Sequence, residues 1–150
     1  MNIEKFGYKL PKAPEPAAVY VPAVRVGDII YVSGQTPKDG NELLFKGKLG
    51  KDFTLEEGYE ASKVCILRSL SVVEAEIGNL DKIKRIVKLT GYVNSTDDFT
   101  DHSKVINGAS ELLEEVFGEK GRHARVAVGT NSLPGNAAVE IELIVQVENY

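Results

Sequence analysis

Cysteine and long apolar runs are nearly absent from this sequence. Cys65 is the only cysteine among 150 residues, so no disulfide can form within the chain, which favours a reducing compartment and predicts a cytoplasmic protein. It lies in the apolar run Val64-Cys65-Ile66-Leu67, a setting typical of a buried structural thiol rather than of a nucleophile. No stretch approaches the ~20 apolar residues of a membrane span, and residues 1–9 lack the apolar segment of a secretion signal.

Concentrated positive charge is missing too. The formal net charge is −4 at pH 7, and no run of lysine and arginine exceeds two residues. A nucleic-acid partner is therefore disfavoured, because binding to phosphates requires a concentrated basic surface. The histidines, His102 and His123, lie in different polar segments without neighbouring metal ligands. The segment Gly47-Lys48-Leu49-Gly50 lacks the spacing of a phosphate-binding loop, so we expect neither a metal nor a cofactor.

The composition is that of an ordinary globular chain. Hydrophobic residues make up 43% and charged residues 27%, and a length of 150 residues predicts a single domain spanning residues 1–150. Pro11, Pro14 and Pro16 lack the N–H that a helix would use. We therefore interpret the proline-rich stretch 8–18 as extended and residues 1–17 as an N-terminal arm.

A hairpin and a long helix are predicted in the first half of the chain. The apolar runs 19–24 and 29–33 flank Gly27, which can adopt the positive φ of a tight turn, and 43–46 predicts a short third strand. Thr54 and Glu57 match a capping box at the start of a helix, which ends at Gly78. The helix presents one apolar face with helical spacing, formed by Ile66, Leu70, Val73 and Ile77.

The second half of the chain reads as strand, helix, strand, strand. Residues 83–93 and 139–147 alternate in polarity with period two, as strands do, and 125–128 predicts a short strand between them. A second helix is predicted over 104–117. Gly108 inside that helix costs about 1 kcal/mol relative to alanine, which indicates that another segment approaches the backbone there.

This order of elements predicts an α+β fold, with two helices on one face of a single mixed sheet. Period two places Ile86, Tyr92 and Ile144 on the other face, where a monomer would expose them. An apolar patch on an uncovered sheet face is typical of an association surface. A homo-oligomer is therefore expected from the pattern alone.

Two motifs near opposite ends of the chain resemble those of the RidA/YjgF family, whose members have also been called endoribonuclease L-PSP or translation-inhibitor proteins. The spacing within each motif matches the family without a gap, and the resemblance extends from about residue 17 to residue 147. The first motif consists of Tyr20 and Ile29-Ile30-Tyr31-Val32-Ser33-Gly34-Gln35, and the second of Arg125-Val126-Ala127-Val128, Leu133-Pro134 and Val139-Glu140-Ile141-Glu142. A middle stretch, Leu89-Thr90-Gly91-Tyr92-Val93 with Asp98-Phe99, follows the family pattern as well.

The chain also departs from the best-known deaminases of that family. Segment 100–106 is a few residues longer, and the stretch 99–110 resembles a less characterised branch with a Phe-Thr-Asp and Asn-Gly-Ala-Ser pattern. Ala127 stands where several relatives carry cysteine. The substrate range is the property that these departures bear on most directly.

The resemblance implies a chorismate-mutase-like fold assembled as a homotrimer. In that assembly the sheets close around a central barrel-like core, and the helices lie outside. Three equivalent clefts between subunits would bind small carboxylates. Such an assembly would also cover the apolar sheet face described above.

The resemblance further implies which residues form the cleft. Arg125 would act as a carboxylate clamp, because a guanidinium offers two parallel N–H donors, and Glu140 would orient a water. From the pattern alone, a surface or interfacial salt bridge is the favoured role of Arg125, and Glu140 and Glu142 could form a solvated edge or an inter-subunit pair. The resemblance makes Arg125 and Glu140 catalytic, and assigns substrate binding to Tyr20, Ser33, Gly34, Asn107 and Ala127.

The activity that the resemblance implies is cofactor-free hydrolysis of reactive enamines or imines, such as 2-aminoacrylate, to 2-oxo acids and ammonia. These compounds already hydrolyse in water, so positioning and modest acid–base help suffice. Two alternatives stay open. The clefts could sense a small carboxylate metabolite without turnover, or the protein could be an endoribonuclease, which the acidic composition disfavours.

Overall fold

A mixed sheet covered on one face by two helices forms the body of the molecule in the computed structural model, which describes residues 1–15 and 19–149. The sheet order is β1-β2-β7-β5-β6; β5 and β6 pair in parallel, and the other neighbours are antiparallel. The predicted α+β class is confirmed. In chain order the elements are β1 (Ala23–Val26), β2 (Ile29–Gln35), β3 (Lys38–Asp39), β4 (Glu42–Leu43), α1 (Leu55–Ile77), β5 (Ile83–Asn94), α2 (His102–Phe117), β6 (Ala124–Thr130) and β7 (Val139–Val147).

The first hairpin forms where it was predicted, with a shorter first strand. Gly27 has a φ of 62° in its turn. β1 begins only after Pro22, which has no N–H for a ladder. The predicted strand at 43–46 is wrong in its bounds. Leu43 pairs with Lys38 in the small hairpin of β3 and β4, and Lys46 forms an isolated bridge to Ala137.

Both predicted helices are present. Thr54 and Glu57 form the capping box at the start of α1 with reciprocal hydrogen bonds of 3.2 and 3.0 Å, and Gly78 ends the helix in the left-handed conformation. α2 begins two residues earlier than predicted, at His102 rather than Lys104. Neither helix has a stretch apolar enough to cross a membrane in the described chain.

The core lies between the sheet and the two helices. The predicted face of α1 is buried against alternate residues of β7, as the period-two pattern requires. Contact between the helices themselves is close, since the Ser62 hydroxyl donates to the carbonyl of Val105 at 2.9 Å. The β7 residues in this core are Val139, Ile141, Leu143, Val145 and Val147.

A bulge in β5 overturns one part of the predicted pattern. Ile86 was expected on the uncovered face, but it is 0% exposed and belongs to the core. Ile86 pairs with Val145 and Lys88 with Ile144, so two steps along β5 match one step along β7. Such a bulge shifts the alternation by one residue and turns the preceding side chain to the other face.

The uncovered sheet face carries a different apolar set from the one expected. Tyr92 and Ile144 lie there as predicted, half-buried. The exposed apolar side chains on the same face come mainly from the two edges of the sheet. They are Val24, Val26, Tyr31, Val126 and Val128.

The N-terminal segment is docked rather than a free extended arm. Ile3–Phe6 forms a 3-10 helix, and Ile3 is only 4% exposed within the core, so the predicted extended arm is wrong there. The amino group of Met1 pairs with Asp81 at 2.8 Å, and the Tyr8 hydroxyl donates to Glu115 at 2.8 Å. The end of the predicted arm, at residues 16 and 17, lies outside the described residues.

Gly108 lies where α1 and α2 pack closely against each other, as the sequence suggested. A Cβ there would lie 2.1 Å from the Tyr59 carbonyl oxygen and 2.3 Å from Ser62 Oγ. We expect Gly108→Ala to lower the free energy of unfolding by about 1–3 kcal/mol, because overpacking would force the helices apart. Helix propensity alone predicts stabilisation by about 1 kcal/mol. Urea denaturation decides the sign, with Glu114→Ala on the exposed side of α2 as the control.

Candidate functional site

A cavity of about 320 Å³ lies between α2, the 3-10 turn Gly118–Gly121 and the start of β6. Both charge signs face it, since two arginines and two glutamates are among the lining residues. We call this cavity the arginine pocket. Its lining consists of Asn107, Ser110, Glu111, Glu114, Gly121, Arg122, His123 and Arg125.

Arg125 is held in this pocket by neutral groups. Its Nη1 donates to Asn107 Oδ1 at 2.8 Å and to Ser110 Oγ at 3.2 Å, and its Nη2 to the Ser103 carbonyl at 3.4 Å. Burial lowers the pKa of the Arg125 guanidinium, which nevertheless stays charged in proteins. Within the described residues no carboxylate forms an ion pair with Arg125. A half-buried cation held in this way favours an anionic ligand.

His123 extends the hydrogen-bond network behind Arg125. Its Nδ1 lies 2.6 Å from the Gly121 carbonyl oxygen and its Nε2 2.9 Å from Ser110 Oγ. A carbonyl can only accept, so the neutral ring carries its proton on Nδ1, and Nε2 accepts from the Ser110 hydroxyl. Burial lowers the pKa of His123, and the charge of Arg125 lowers it further, against the opposing effects of Gly121 and Glu114.

A second group of candidates lies on the uncovered face of the sheet, around Glu140 and Glu142 of β7. Burial, and then the charge of Glu142, raise the pKa of Glu140. A Cβ at Gly34 would lie 2.9 Å from Glu140 Oε2, so the β2 backbone lies directly against this carboxylate. The Tyr92 hydroxyl donates to Glu142 Oε1 at 2.9 Å. We call Gly34, Tyr92, Glu140 and Glu142 the carboxylate face.

Arg125 and Glu140 do not meet within one chain. Arg125 is in register with Leu89, whose side chain is buried on the helix side, whereas Glu140 is in register with Tyr92 on the uncovered side. They also stand two strands apart, about 10 Å at the usual strand spacing. A site that contains both groups therefore requires a second copy of the chain.

The remaining predicted site residues divide between these two regions. Asn107 is a direct partner of Arg125, and Ala127 lies half-buried two residues further along β6 on the same face. Ser33 is next to Gly34, and its hydroxyl donates to the Val21 carbonyl at 2.7 Å. Tyr20 precedes β1 and is 55% exposed.

Of the eight residues that line the arginine pocket, sequence reasoning named only Asn107 and Arg125 as site residues. Ser110 follows Asn107 by three positions on α2 and so shares its face. His123 and Arg122 precede Arg125 by two and three positions, and the two-residue spacing of His123 was the available signal. Arg122 also lines the pocket, with an exposed side chain. In the part of the chain that the structure describes, no group of three histidine, cysteine or acidic side chains could hold a metal ion.

Comparison with known proteins identifies relatives over nearly the whole length. A profile of the family described as "YjgF/chorismate_mutase-like, putative endoribonuclease" matches residues 3–147. Protein TCP17 of Trypanosoma cruzi is 46% identical, covering 99% of this chain and 93% of its own. A 2-iminobutanoate/2-iminopropanoate deaminase of Dermatophagoides farinae is 31% identical, with coverages of 92% and 93%.

The fold is shared with solved structures as well. The crystal structure of Atu1372 from Agrobacterium tumefaciens, described as of unknown function, superposes with a TM-score of 0.91 at 42% identity, covering 97% of this chain and 90% of that one. The family match spans all the elements that carry the arginine pocket and the carboxylate face. The chain belongs to the YjgF/chorismate mutase-like family, the RidA/YjgF family that its motifs resemble.

Proposed function

We propose that this protein hydrolyses reactive enamines and imines of short 2-amino acids to 2-oxo acids and ammonia. The observation that carries the proposal is Arg125, a half-buried cation held by Asn107 and Ser110 with no carboxylate partner among the described residues. The similarity to a 2-iminobutanoate/2-iminopropanoate deaminase at 31% identity supports it. The more similar TCP17 and Atu1372 carry no activity in their names.

In the proposed reaction Arg125 pairs with the substrate carboxylate. Its Nε has no acceptor among the described residues, so this edge of the guanidinium is available for an oxygen of the ligand. Asn107 and Ser110 hold the guanidinium in one orientation, which fixes the position of the reacting carbon. The enamine takes up a proton at carbon to become the imine, water adds to C2, and ammonia leaves.

The water would be oriented by Glu140 of a second subunit. Glu140 has a raised pKa, which favours acceptance of a proton from water. Because Arg125 and Glu140 lie on opposite faces of one sheet, we propose a homotrimer in which neighbouring subunits complete each cleft. The exposed apolar side chains of the uncovered face would then be covered.

The direct test is release of 2-oxobutanoate from 2-iminobutanoate generated in situ, followed with and without the protein. We expect an acceleration over the spontaneous reaction that saturates with substrate. The same assay on 2-aminoacrylate extends the test to the shorter substrate. Equal rates with and without the protein would contradict the proposed activity.

Carboxylate sensing is the second candidate, favoured by the same Arg125, which has no carboxylate partner in the described part of the chain. It predicts binding of a 2-oxo acid to the arginine pocket without turnover of the imine. RNA cleavage is not supported by the net charge of −4. A cytoplasmic setting remains part of the proposal, on the grounds that the sole cysteine, Cys65, is a free buried thiol.

The proposed assembly has its own test. Sedimentation should give about three times the chain mass of 16.4 kDa. Val126→Lys should dissociate the trimer, because it places an unpaired charge in the proposed interface. Leu44→Lys is the matched control, since Val126 is 43% exposed and Leu44 45%, and Leu44 lies off the sheet. A parent that sediments as a monomer would remove the inter-subunit cleft.

A further inference from the structure

A directed chain of hydrogen bonds connects the wall of the arginine pocket to the guanidinium of Arg125. Arg125 can only donate and the Gly121 carbonyl can only accept, so the direction of every bond between them is fixed. Ser110 Oγ accepts from Arg125 at 3.2 Å and donates its own proton to His123 Nε2 at 2.9 Å. Both Ser110 and His123 line the cavity.

We propose that Ser110 and His123 form a proton relay for the bound substrate, in which a carboxylate at Arg125 draws a proton onto His123 and the Ser110 hydroxyl passes it to the enamine. The inference rests on the proposed function, whose assignments to Arg125 and Glu140 leave the source of this proton unnamed. In it Ser110 touches the substrate, and His123 acts through Ser110.

The charged groups around His123 link its protonation to the binding of a carboxylate at Arg125. Glu111 and Glu114 of α2 line the pocket with Arg122 and Arg125. Other charged groups on the neighbouring elements are exposed and do not line it, namely Glu119 and Lys120 on the 3-10 turn and Arg85 on β5, which donates to the Arg122 carbonyl.

A carboxylate bound in the arginine pocket changes the electrostatic environment of His123 through Arg125. An anion paired with Arg125 offsets the positive charge that opposes protonation of His123. By linkage, the carboxylate and the proton on His123 therefore stabilise each other. In the free protein, burial and Arg125 lower the pKa of His123, so the ring is neutral at pH 7 and takes up its proton on binding.

Proton transfer through the relay returns Ser110 and His123 to their starting states. The bound carboxylate brings a proton from solvent to His123 Nε2. The Ser110 O–H bond breaks, and its proton forms a C–H bond at the terminal carbon of the enamine while the electron pair of the C=C bond becomes part of the new C=N bond. His123 Nε2 returns a proton to Ser110 Oγ, and the ring is neutral again. The product is the protonated imine that water attacks.

Three variants separate the members of the relay. Ser110→Ala removes the hydroxyl, and Ser110→Thr restores it. His123→Gln places an amide oxygen where Nε2 accepted from Ser110, so the packing of the site is retained, but the side chain cannot carry the proton. We expect kcat to fall about 10²-fold in Ser110→Ala and His123→Gln, with KM little changed in Ser110→Ala because Asn107 still holds Arg125. Ser110→Thr should recover most of the lost rate.

The pH profile and an NMR titration give readouts that a purely structural role would not move. The fall of kcat at high pH in the parent should disappear in His123→Gln. In the parent protein the ring resonances of His123 should titrate at higher pH with 2-oxobutanoate bound than without it.

The outcomes distinguish the relay from the proposed function. Full kcat and an unaltered pH profile in His123→Gln, while the parent hydrolyses imines, would overturn the relay and leave the function intact. If the pH at which His123 titrates does not change when 2-oxobutanoate binds, His123 takes up no proton on binding. That result would overturn the relay whether or not the parent hydrolyses imines. A parent that binds 2-oxobutanoate but hydrolyses no imine would overturn both the proposed function and the transfer step.

Discussion

Replacing Arg125 by alanine should abolish measurable deamination of carboxylate-bearing imines and weaken the binding of 2-oxo acids in parallel. A charged hydrogen bond of the kind Arg125 offers contributes roughly 1.5–3 kcal/mol. Removing the guanidinium also removes the orientation of the reacting carbon, which adds to the loss of rate. Calorimetry with 2-oxobutanoate measures the binding part, and product release from 2-iminobutanoate measures the rate.

Arg125→Lys should restore little of either quantity. An ammonium is a point donor that cannot make two parallel contacts to a carboxylate, whereas the guanidinium spreads its contacts to Asn107, Ser110 and Ser103 over two nitrogens. Arg85→Ala is the matched control, because Arg85 is exposed on β5 and lies outside the pocket lining. Deamination by Arg125→Ala at the rate of the parent would make Arg125 a structural residue only.

Those elements of the fold that depend on local signals could be predicted from the sequence. The capping box at Thr54 and the stop at Gly78 are local hydrogen-bond and backbone properties, and both occur as expected. The alternation in β7 is unbroken, so its buried face followed directly. Gly108 signalled a close helix contact because nothing in a helix interior favours glycine otherwise.

Features that depend on distant partners could not be predicted in this way. The bulge in β5 arises from pairing with β7, and it reverses the face of Ile86 without any local proline or glycine to mark it. The N-terminal 3-10 helix is stabilised by burial of Ile3 and by the pairing of Met1 with Asp81. Each contact joins residues far apart in the sequence, where period and propensity give no information.

In the candidate site, too, some residues could be predicted from the sequence, whereas contacts between distant segments could not. The family resemblance indicated Arg125 and Asn107, and the structure places them in direct contact at 2.8 Å. Spacing could not indicate that Glu140 lies on the opposite face of the sheet, because that depends on strand order. Nor did it assign Ser110 and His123 to the pocket, since their contact joins α2 to the segment before β6.

Glu140→Gln should slow turnover by at least ~10²-fold while raising the stability of the folded chain at neutral pH. The pKa of Glu140 is raised by burial and by the charge of Glu142, so its ionised form opposes folding. The stability that the protonated form contributes is fully present below the pKa of unfolded glutamate and is lost as pH rises through the higher pKa of the folded state. Glutamine imitates the protonated form, so the gain in stability should vanish in acid.

Thermal or urea unfolding at several pH values, set beside the deamination rate, measures both effects on one variant. Glu142→Gln is the control on the same strand face: it weakens the acceptor of the Tyr92 hydroxyl and should alter stability more than rate. It also removes the charge that helps raise the pKa of Glu140, so the pH dependence of turnover should move to lower pH. Full activity in Glu140→Gln together with slow turnover in Glu142→Gln would reverse the roles of the two acids. Because the variant gains stability where it loses activity, a loss of rate in Glu140→Gln could not be attributed to unfolding.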